Sequence, residues 1–355
     1  MNVLLKSEWT IFIFALVASA LTAVLSFIAV NAVLVFFISA IALATLATVV
    51  GQATEQLGNY MGPGATGVLQ SAIGNLPELF VSLFALQAGL VTVVQSALVG
   101  SILANSLLVL GLAFAIGGIK HGTQKFMSGS PRAIVMLMVL AVSALVFPTL
   151  AHSLHTPAEM HEETLSIASA IVLLILFFAS IPFSLQDGPL TGTSPRPGEE
   201  RRSWSLLRVL AVLVVAGISA ALVSDWFVEA LQPAIEILHI SPAFAGLVVV
   251  AIAGNAVENV VGIQLAVANK ADYAISVIMN SSLQVALALT PILVLLSFFF
   301  SPVPLTLVLP PLLVLALGLA ALLSALIVYD GESNWLEGLA LVGLYTMIAI
   351  SFWWG

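Results

Sequence analysis

Two short polar motifs lie inside long apolar runs of this sequence. GNLPE covers Gly74 to Glu78 in the first half of the chain, and GNAVE covers Gly254 to Glu258 in the second half. An ionised carboxylate at bilayer depth costs roughly 3 kcal/mol on insertion scales, so such residues are typical of sites that bind or move an ion. Two of them at matching places in the two halves of the chain predict a cation-binding centre in a duplicated membrane transporter.

The residue types in both motifs suit a hard cation. Glycine, and Pro77 in the first copy, weaken the helix and free backbone carbonyls, which is tolerable at this depth only beside a cavity or within protein. Those carbonyls can join the carboxylates of Glu78 and Glu258 and the amide oxygens of Asn75 and Asn255. The result is the all-oxygen shell that Ca²⁺ prefers. The secondary candidates are Gly74, Gly254, Ser101, Asn105, Asn280, Ser281, Ser282 and Gln284.

The composition places these motifs in an all-α, polytopic membrane protein. Apolar residues make up 61% of the chain and charged residues only 7%, against about 25% charged residues in a soluble domain. About 20 apolar residues span the hydrocarbon core, and the long run after Trp9 predicts a permanent span rather than a cleaved signal peptide. Eleven transmembrane helices are predicted, near 9–29, 31–51, 64–88, 92–118, 132–150, 163–184, 206–228, 241–267, 271–299, 303–328 and 334–353.

The charge distribution gives this topology a direction. With eleven spans, all nine Lys and Arg residues fall on the side of the N-terminus. The positive-inside rule then predicts a cytoplasmic N-terminus and an outer C-terminus. The compact loops favour the cell (inner) membrane. The opposite loops are predicted to hold His152, His155, Glu159, Glu162, Glu163, Asp225, Glu229 and Glu236.

The offset between the two motifs continues beyond them without a gap, since Ser101 matches Ser281 and Leu107 matches Leu287. We call this constant offset the repeat register. A repeat of five spans is odd in number, so the second copy must enter the membrane from the opposite side, which is the inverted-topology repeat of many alternating-access transporters. The predicted organisation is an extra N-terminal helix in 1–30, a first repeat in 31–185, a flexible cytoplasmic linker in 186–205 and a second repeat in 206–355.

The motifs and their flanks resemble a known family. GNLPELFVSLFAL with GSILANSLLVLGLAF, and GNAVENV with SSLQVAL, are similar to the two signature repeats of the Ca²⁺/H⁺ antiporters, the CAX branch of the cation/Ca²⁺ exchanger superfamily. The resemblance implies that Glu78 and Glu258 bind Ca²⁺ and also accept protons. Two features depart from the family pattern. Asn259 stands where the second signature usually has His, and the linker lacks a His-containing segment often found in relatives.

Two carboxylates close together at low dielectric resist being ionised and empty at the same time. One Ca²⁺ or two protons neutralise the pair, which titrates as a coupled unit. This predicts export of cytoplasmic Ca²⁺ in exchange for protons by alternating access. The expected partners are Ca²⁺, H⁺ and the lipid bilayer, with no nucleic acid and no separate cofactor, and a homo-oligomer stays open. Glu55 and Glu236 either line the two mouths of the pathway or are solvated helix-end carboxylates.

Other functions remain open at this stage. A Na⁺/Ca²⁺ exchanger shares the expected fold, although its repeats read more like Gly-Ser/Thr-Ser-x-Pro-Glu. A proton antiporter for Na⁺ or K⁺ is the second alternative, and the sequence leaves the preference among Ca²⁺, Mn²⁺, Na⁺ and K⁺ undecided. A channel is disfavoured by paired buried acids in inverted repeats. An enzyme is disfavoured because the sequence holds no HExxH motif, nucleophile elbow or phosphate-binding loop.

Overall fold

The computed structural model describes residues 2–28, 31–58, 60, 73–126, 129–186 and 204–354. A 3₁₀ turn at Pro157–His161 and a small antiparallel pair, β1 (Gln124–Lys125) and β2 (Glu332–Ser333), accompany the helices. The helices in this part of the chain are α1 (Asn2–Phe27), α2 (Ala32–Gly58), α3 (Leu76–Gln87), α4 (Val91–His121), α5 (Gly129–Ser153), α6 (Glu162–Gln186), α7 (Leu206–Leu238), α8 (Pro242–Gly254), α9 (Ala256–Val267), α10 (Ala271–Phe300), α11 (Pro311–Asp330) and α12 (Trp335–Ser351).

Eight helices of the described ranges are long and apolar enough to cross a bilayer. The pair α8 and α9, bent by 64° at the second motif, makes nine if it is counted as one span. Two shorter apolar helices, α3 and α12, fall in the remaining predicted segments. The chain is therefore a multi-pass helical membrane protein, and the number eleven stays a prediction. Residues 64–72 of the third predicted span and residues 187–203 of the predicted linker lie outside the described residues.

The repeat register is visible in the helix bounds. Helices α3 and α9 begin at Leu76 and Ala256, and α4 and α10 begin at Val91 and Ala271. Both α4 and α10 contain a π-helical turn, at Ala104–Val109 and Val285–Leu289. The turns before α4 and α10 each place one residue at positive φ, namely Gly89 (75°) and Asn269 (57°). Gly and Asn are the residues that adopt this conformation most readily. These correspondences support the predicted duplication.

The two halves meet where α4 crosses α8. A Cβ added at Gly100 of α4 would overlap the backbone of Leu247, and one added at Gly246 of α8 would overlap the carbonyl oxygen of Val93. Small residues at such a crossing let two helix backbones approach closely, which is a common way of packing transmembrane helices. Helices α2 and α7 also pack together across the halves, with Phe36 stacked on Phe227 at 5.1 Å between ring centroids.

The predicted helix 303–328 is wrong at its start. Residues 301–310 are not helical, and α11 begins only at Pro311. Prolines at 302, 304, 310 and 311 explain the difference, because each removes a backbone donor and disfavours a helical conformation in the residue before it. The segment is nevertheless part of the interior, with Leu305, Leu307 and Leu309 buried.

Side chains from other helices satisfy the backbone of this non-helical segment 301–310. The Gln95 amide donates to the carbonyls of Thr306 (2.9 Å) and Val308 (3.0 Å). Thr149 donates to the Leu307 carbonyl and accepts from the Leu309 amide, at 2.9 and 2.8 Å. Non-helical backbone at membrane depth is tolerated where such partners replace the helical hydrogen bonds.

The predicted end of the helix at 206–228 is also wrong, since α7 continues to Leu238. Asp225, Glu229 and Glu236 therefore lie on this helix rather than in an outer loop. One helical turn separates the first two and two turns separate the last two, so all three lie on one face of α7. A helix tolerates three carboxylates in a row on one side when that side faces a polar space rather than lipid.

Candidate cation-binding site

Glu78 lies in the first turn of α3 and is buried, with 4% of its surface exposed. Its Oε1 atom accepts a hydrogen bond from the Ser101 hydroxyl and one from Asn255 Nδ2, the latter at 3.0 Å. Ser101 belongs to α4 in the first half, and Asn255 belongs to the second motif. The first-half carboxylate thus accepts a hydrogen bond from the second-half amide, and the two motifs meet at this contact.

A chain of hydrogen bonds extends from Asn255 into the other helices. Asn105 Nδ2 donates to Asn255 Oδ1 at 2.9 Å and to Ser281 Oγ at 3.0 Å. Ser281 in turn donates to Asn255 Oδ1 at 3.2 Å. All three side chains are buried, and Asn105 lies in the π-helical turn of α4. Such π-helical turns inside α-helices are frequent at functional sites. The residues joined in this polar cluster are Glu78, Ser101, Asn105, Asn255 and Ser281.

The two motifs break their helices in the same way. Asn75 has φ −92° and ψ 15°, and Asn255 has φ −98° and ψ 21°, a sparsely populated backbone region that recurs at active sites. Neither asparagine side chain caps the helix that follows. The amide of Asn255 instead donates to the Ala251 carbonyl at 2.9 Å and to Glu78. The Asn75 side chain is buried at the matching position.

Glu258 occupies a different environment from Glu78, although both are the third residue of their helices. It is half-buried and lies outside the hydrogen-bonded cluster. Its carboxylate is close enough to Glu78 for the two negative charges to repel each other. The two glutamates therefore share one electrostatic site but are not equivalent within it.

The two motif glycines differ as well. A Cβ added at Gly254 would lie 2.7 Å from Glu78 Cγ and 3.0 Å from its Cδ and Oε1 atoms. A Cβ added at Gly74 would have nothing within 4 Å. The absence of a side chain at Gly254 therefore makes room for the Glu78 carboxylate, whereas Gly74 has no such neighbour.

The remaining sequence candidates lie beside the polar cluster. Ser282 pairs with Ser106 at 3.2 Å between hydroxyl oxygens, a buried contact between α4 and α10 for which the sequence singled out only one partner. Asn280 and Gln284 are half-buried residues of α10 outside the cluster. Ser106 had one signal in the sequence, its place beside Asn105 in GSILANS.

Three buried oxygens around the motifs have no hydrogen-bond partner among the described residues: Glu78 Oε2, Asn105 Oδ1 and Asn259 Oδ1. Buried acceptors without donors are rare, and a cation is one group that satisfies them. Within the described ranges, no three residues of the types His, Cys, Asp and Glu come together as a metal site. The available ligands are thus two carboxylates and neutral oxygens. Asn259 was missed as a candidate ligand, although it follows Glu258 at the position where the family signature usually has His.

One cavity adjoins Glu78, and a larger one lies along α7. The one beside Glu78 measures about 10 Å³ and is lined by Pro77, Phe227 and Gly254, among others. This is about the smallest space that holds one water molecule. The second measures about 510 Å³, and its lining includes the carboxylate-bearing residues Asp225, Glu229 and Glu236 of α7 with Gln87 of α3 and Gln232. Among the described residues, the cavity beside Glu78 is therefore small, whereas an acidic space large enough for water lies along α7. Glu55, the other predicted mouth residue, is exposed near the end of α2.

This multi-pass helical fold and this pairing of two broken-helix motifs are typical of a membrane cation exchanger. A sequence model described as "Sodium/calcium exchanger protein" matches residues 31–186 and 208–354. The chain belongs to this family.

Within the family, the chain is similar to Ca²⁺/H⁺ antiporters, as the motifs predicted. It is 35% identical to the Ca²⁺/H⁺ antiporter ChaA of Bacillus subtilis over 324 residues, which covers 89% of this chain and 91% of that protein. It is 34% identical over 336 residues to the Ca²⁺/H⁺ antiporter of Synechocystis, with 90% of each chain covered. The predicted resemblance to the CAX branch is confirmed.

The fold agrees with solved structures. The structure of native YfkE superimposes with a TM-score of 0.82 at 32% identity, covering 97% of this chain and 99% of that one. The H⁺/Ca²⁺ exchanger CAX has a TM-score of 0.72 at 16% identity, covering 97% and 92%. At 16% identity, the similarity to the H⁺/Ca²⁺ exchanger CAX concerns the fold alone.

Proposed function

We propose that this protein is a Ca²⁺/H⁺ antiporter that exports cytoplasmic Ca²⁺ in exchange for protons. The observation that carries the proposal is the hydrogen bond from Asn255 to Glu78, which joins the two motifs in one buried polar cluster. Relatives named Ca²⁺/H⁺ antiporters, aligned over about nine-tenths of the chain, support the choice of ions.

In this proposal, charge neutralisation couples Ca²⁺ transport to proton transport. Glu78 and Glu258 are close enough to repel each other, so the empty, doubly ionised site is costly at low dielectric. One Ca²⁺ neutralises both carboxylates, and two protons do the same. With either load, the protein can pass through the closed conformation between its two open states. The empty, charged site makes that passage costly. Exchange follows from this restriction, and the pair is expected to titrate as one unit.

The Ca²⁺ shell in this proposal combines charged and neutral oxygens. Glu78 Oε2 and Asn105 Oδ1 already lack hydrogen-bond partners among the described residues. Glu258, across the second helix break, supplies the second carboxylate. Further neutral oxygens, such as the Asn259 side-chain oxygen, together with water, complete the 6–8 oxygen ligands that Ca²⁺ takes.

Alternating access in this proposal uses two five-helix repeats of opposite orientation. The matching bounds of α3 with α9 and of α4 with α10 support the repeat. Contacts between residues around the loop that follows α4 and residues around the loops that follow α9 and α11 support the orientation. Lys120 reaches the Val267 carbonyl at 3.1 Å, Lys125 pairs with Glu332 at 3.1 Å, and Arg132 donates to the Tyr329 carbonyl at 2.8 Å. These basic residues therefore share one side, which we assign to the cytoplasm.

The acidic cavity along α7 is the proposed outer mouth. Asp225, Glu229 and Glu236 line it from one face of the helix, and Gln87 lines it from the end of α3 opposite to Glu78. Carboxylates in a water-filled cleft raise the local cation concentration. Glu55 is assigned to the cytoplasmic mouth on its position at the end of α2.

A Na⁺/Ca²⁺ exchanger or a Na⁺/K⁺-coupled antiporter of the same fold is the alternative. The sodium–calcium exchanger NCX_Mj has a TM-score of 0.56 at 20% identity, which concerns only the fold. Among the described residues, the charged groups of the proposed site are the carboxylates of Glu78 and Glu258, which favours protons over several Na⁺ ions as the counter-ion.

The test is proton movement in proteoliposomes. Proteoliposomes loaded with a pH indicator are challenged with Ca²⁺. They contain the wild type, Glu78→Gln, Glu258→Gln or the matched control Glu163→Gln, which lies at an exposed position on α6. We expect Ca²⁺-driven proton release in the wild type and the control, and none in the two site variants. If Na⁺ or K⁺ but not Ca²⁺ drives proton release, the assignment of Ca²⁺ as the transported ion is wrong. Activity that survives loss of either glutamate rejects the two-carboxylate mechanism.

A further inference from the structure

A third cavity, of about 240 Å³, lies between α1, α2 and α7. Its walls are apolar and include Phe12 of α1, Val49 of α2, and Ala211 and Val212 of α7. Val215, at one edge of the cavity, is 45% exposed on the protein surface that faces the membrane. The cavity is thus a groove that opens sideways into the hydrocarbon region, and we call it the α1–α7 groove.

Polar residues lie at only one end of the α1–α7 groove. Gln52 follows Val49 by one turn of α2, and Arg208 precedes Val212 by one turn of α7. Trp204 lies just before α7 on the same side. Because α2 ends where α7 begins, these three residues share one membrane boundary, which the proposed orientation assigns to the cytoplasm.

The polar end of the groove is held in place. The Trp204 amide donates to Gln56 Oε1 at 3.3 Å, and its carbonyl accepts from the Tyr60 hydroxyl, so Trp204 is tied to the end of α2. The Arg208 guanidinium lies over the Trp204 ring, 4.4 Å from its centroid. Trp and Tyr are typical of the headgroup level of a bilayer, and Arg keeps its charge there.

We propose that the α1–α7 groove binds one anionic phospholipid of the cytoplasmic leaflet. One acyl chain lies along Ala211, Val212 and Val215, whose side chains are apolar like the chain itself. The phosphate lies at Arg208, since guanidinium groups bind phosphate oxygens through two parallel N–H groups. Water is a poor occupant of such a groove, because the walls offer it few hydrogen-bond partners. This site is separate from the proposed ion exchange and does not depend on it.

The experiment measures retained lipid, not transport. The full-length protein is reconstituted with equal amounts of phosphatidylglycerol and phosphatidylcholine, extracted in detergent and weighed by native mass spectrometry. We expect the wild type to retain one lipid and to prefer phosphatidylglycerol about fivefold. This preference corresponds to the attraction of one cation to an anionic headgroup. Arg208→Gln is expected to keep a bound lipid but lose the headgroup preference.

Two variants close the groove, and one controls for size. Ala211→Trp fills it from within, and Val215→Trp fills it at a position that is already 45% exposed, where a large side chain disturbs packing least. Leu210→Trp places the same side chain at the same depth but on the opposite side of α7, at a residue that is also 45% exposed.

We expect both groove variants to lose the retained lipid and Leu210→Trp to keep it. Retention that is unchanged in both groove variants, or lost equally in Leu210→Trp, overturns the site. Equal retention of the two lipids by the wild type overturns the assignment to an anionic headgroup.

Discussion

At the scale of single residues, the two motifs are alike in sequence and unlike in surroundings. Glu78 is enclosed and accepts hydrogen bonds from Ser101 and Asn255, whereas Glu258 is half-buried and outside that cluster. Burial and hydrogen bonds to a carboxylate both change its proton affinity, so different surroundings make two coupled carboxylates inequivalent. We therefore expect the two glutamates to contribute unequally to proton affinity, even though transport requires both.

The motif glycines allow a direct test of this asymmetry. Gly254→Ala places a methyl group 2.7 Å from Glu78 Cγ, so the carboxylate must move. Gly74→Ala is its control at the matching position of the other repeat, with open space around the added carbon. We expect Gly254→Ala to lose most Ca²⁺-driven proton release in proteoliposomes and Gly74→Ala to retain most of it. Equal effects would show that the space around Glu78 is not what the second glycine provides.

Ser101 is predicted to set the competition between Ca²⁺ and protons. Ser101→Ala removes a hydrogen bond to the Glu78 carboxylate, and such bonds to charged groups contribute about 1.5–3 kcal/mol. The proton then competes better with Ca²⁺, so half-maximal Ca²⁺ transport should need a pH about one unit higher. The measurement is a pH profile of Ca²⁺ uptake.

Ser106→Ala is the control for Ser101→Ala. Ser106 sits in the same helix but contacts Ser282 rather than the carboxylate. An identical pH shift in Ser106→Ala would contradict the assigned role of Ser101.

At the scale of elements, the non-helical segment 301–310 depends on side chains from distant parts of the chain. Thr149→Val keeps the shape of the side chain but leaves the Leu307 carbonyl and the Leu309 amide without their partner. An unsatisfied buried polar group costs about 1–3 kcal/mol. We expect a clearly lower melting temperature in detergent, measured by the unfolding of the purified protein.

Thr346→Val is the matched control for this prediction. Thr346 is exposed on α12, and its hydroxyl donates only to the Val342 carbonyl of the preceding turn. We expect its melting temperature to stay near that of the wild type. Similar losses in both variants would mean that Thr149 acts through helix propensity rather than by holding segment 301–310.

At the scale of the whole molecule, the proposed orientation can be tested because the chain contains no cysteine. A single introduced cysteine is then the only thiol of this chain that a maleimide can label, and the purified protein reports its labelling. Lys125 and His155 are suitable positions, with side chains 77% and 82% exposed. In intact cells, an impermeant maleimide should label His155→Cys at once and Lys125→Cys only after permeabilisation. Labelling of both from the same side would reject the orientation.

Much of the fold and part of the site follow from local sequence signals. Apolar runs located a described helix within each of the eleven predicted segments, because burial in lipid requires about 20 apolar residues in succession. The two motifs identified Glu78 and Asn255, because polar residues are costly at that depth. The continuation of α7 to Leu238 did not follow, since a run of carboxylates reads as a loop unless the cavity that they line is known.

By itself, the sequence determined the membrane class, the repeat register and the family, because each depends on residue type and spacing along the chain. Only the tertiary structure decided that Asn255 holds Glu78, that Gly254 rather than Gly74 makes room for it, and that Gln95 and Thr149 support segment 301–310. The physical reason is distance along the chain. Asn255 lies in the opposite half of the chain from Glu78, and Thr149 lies in the opposite half from Leu307. Only the packing of whole helices brings such partners within hydrogen-bonding distance.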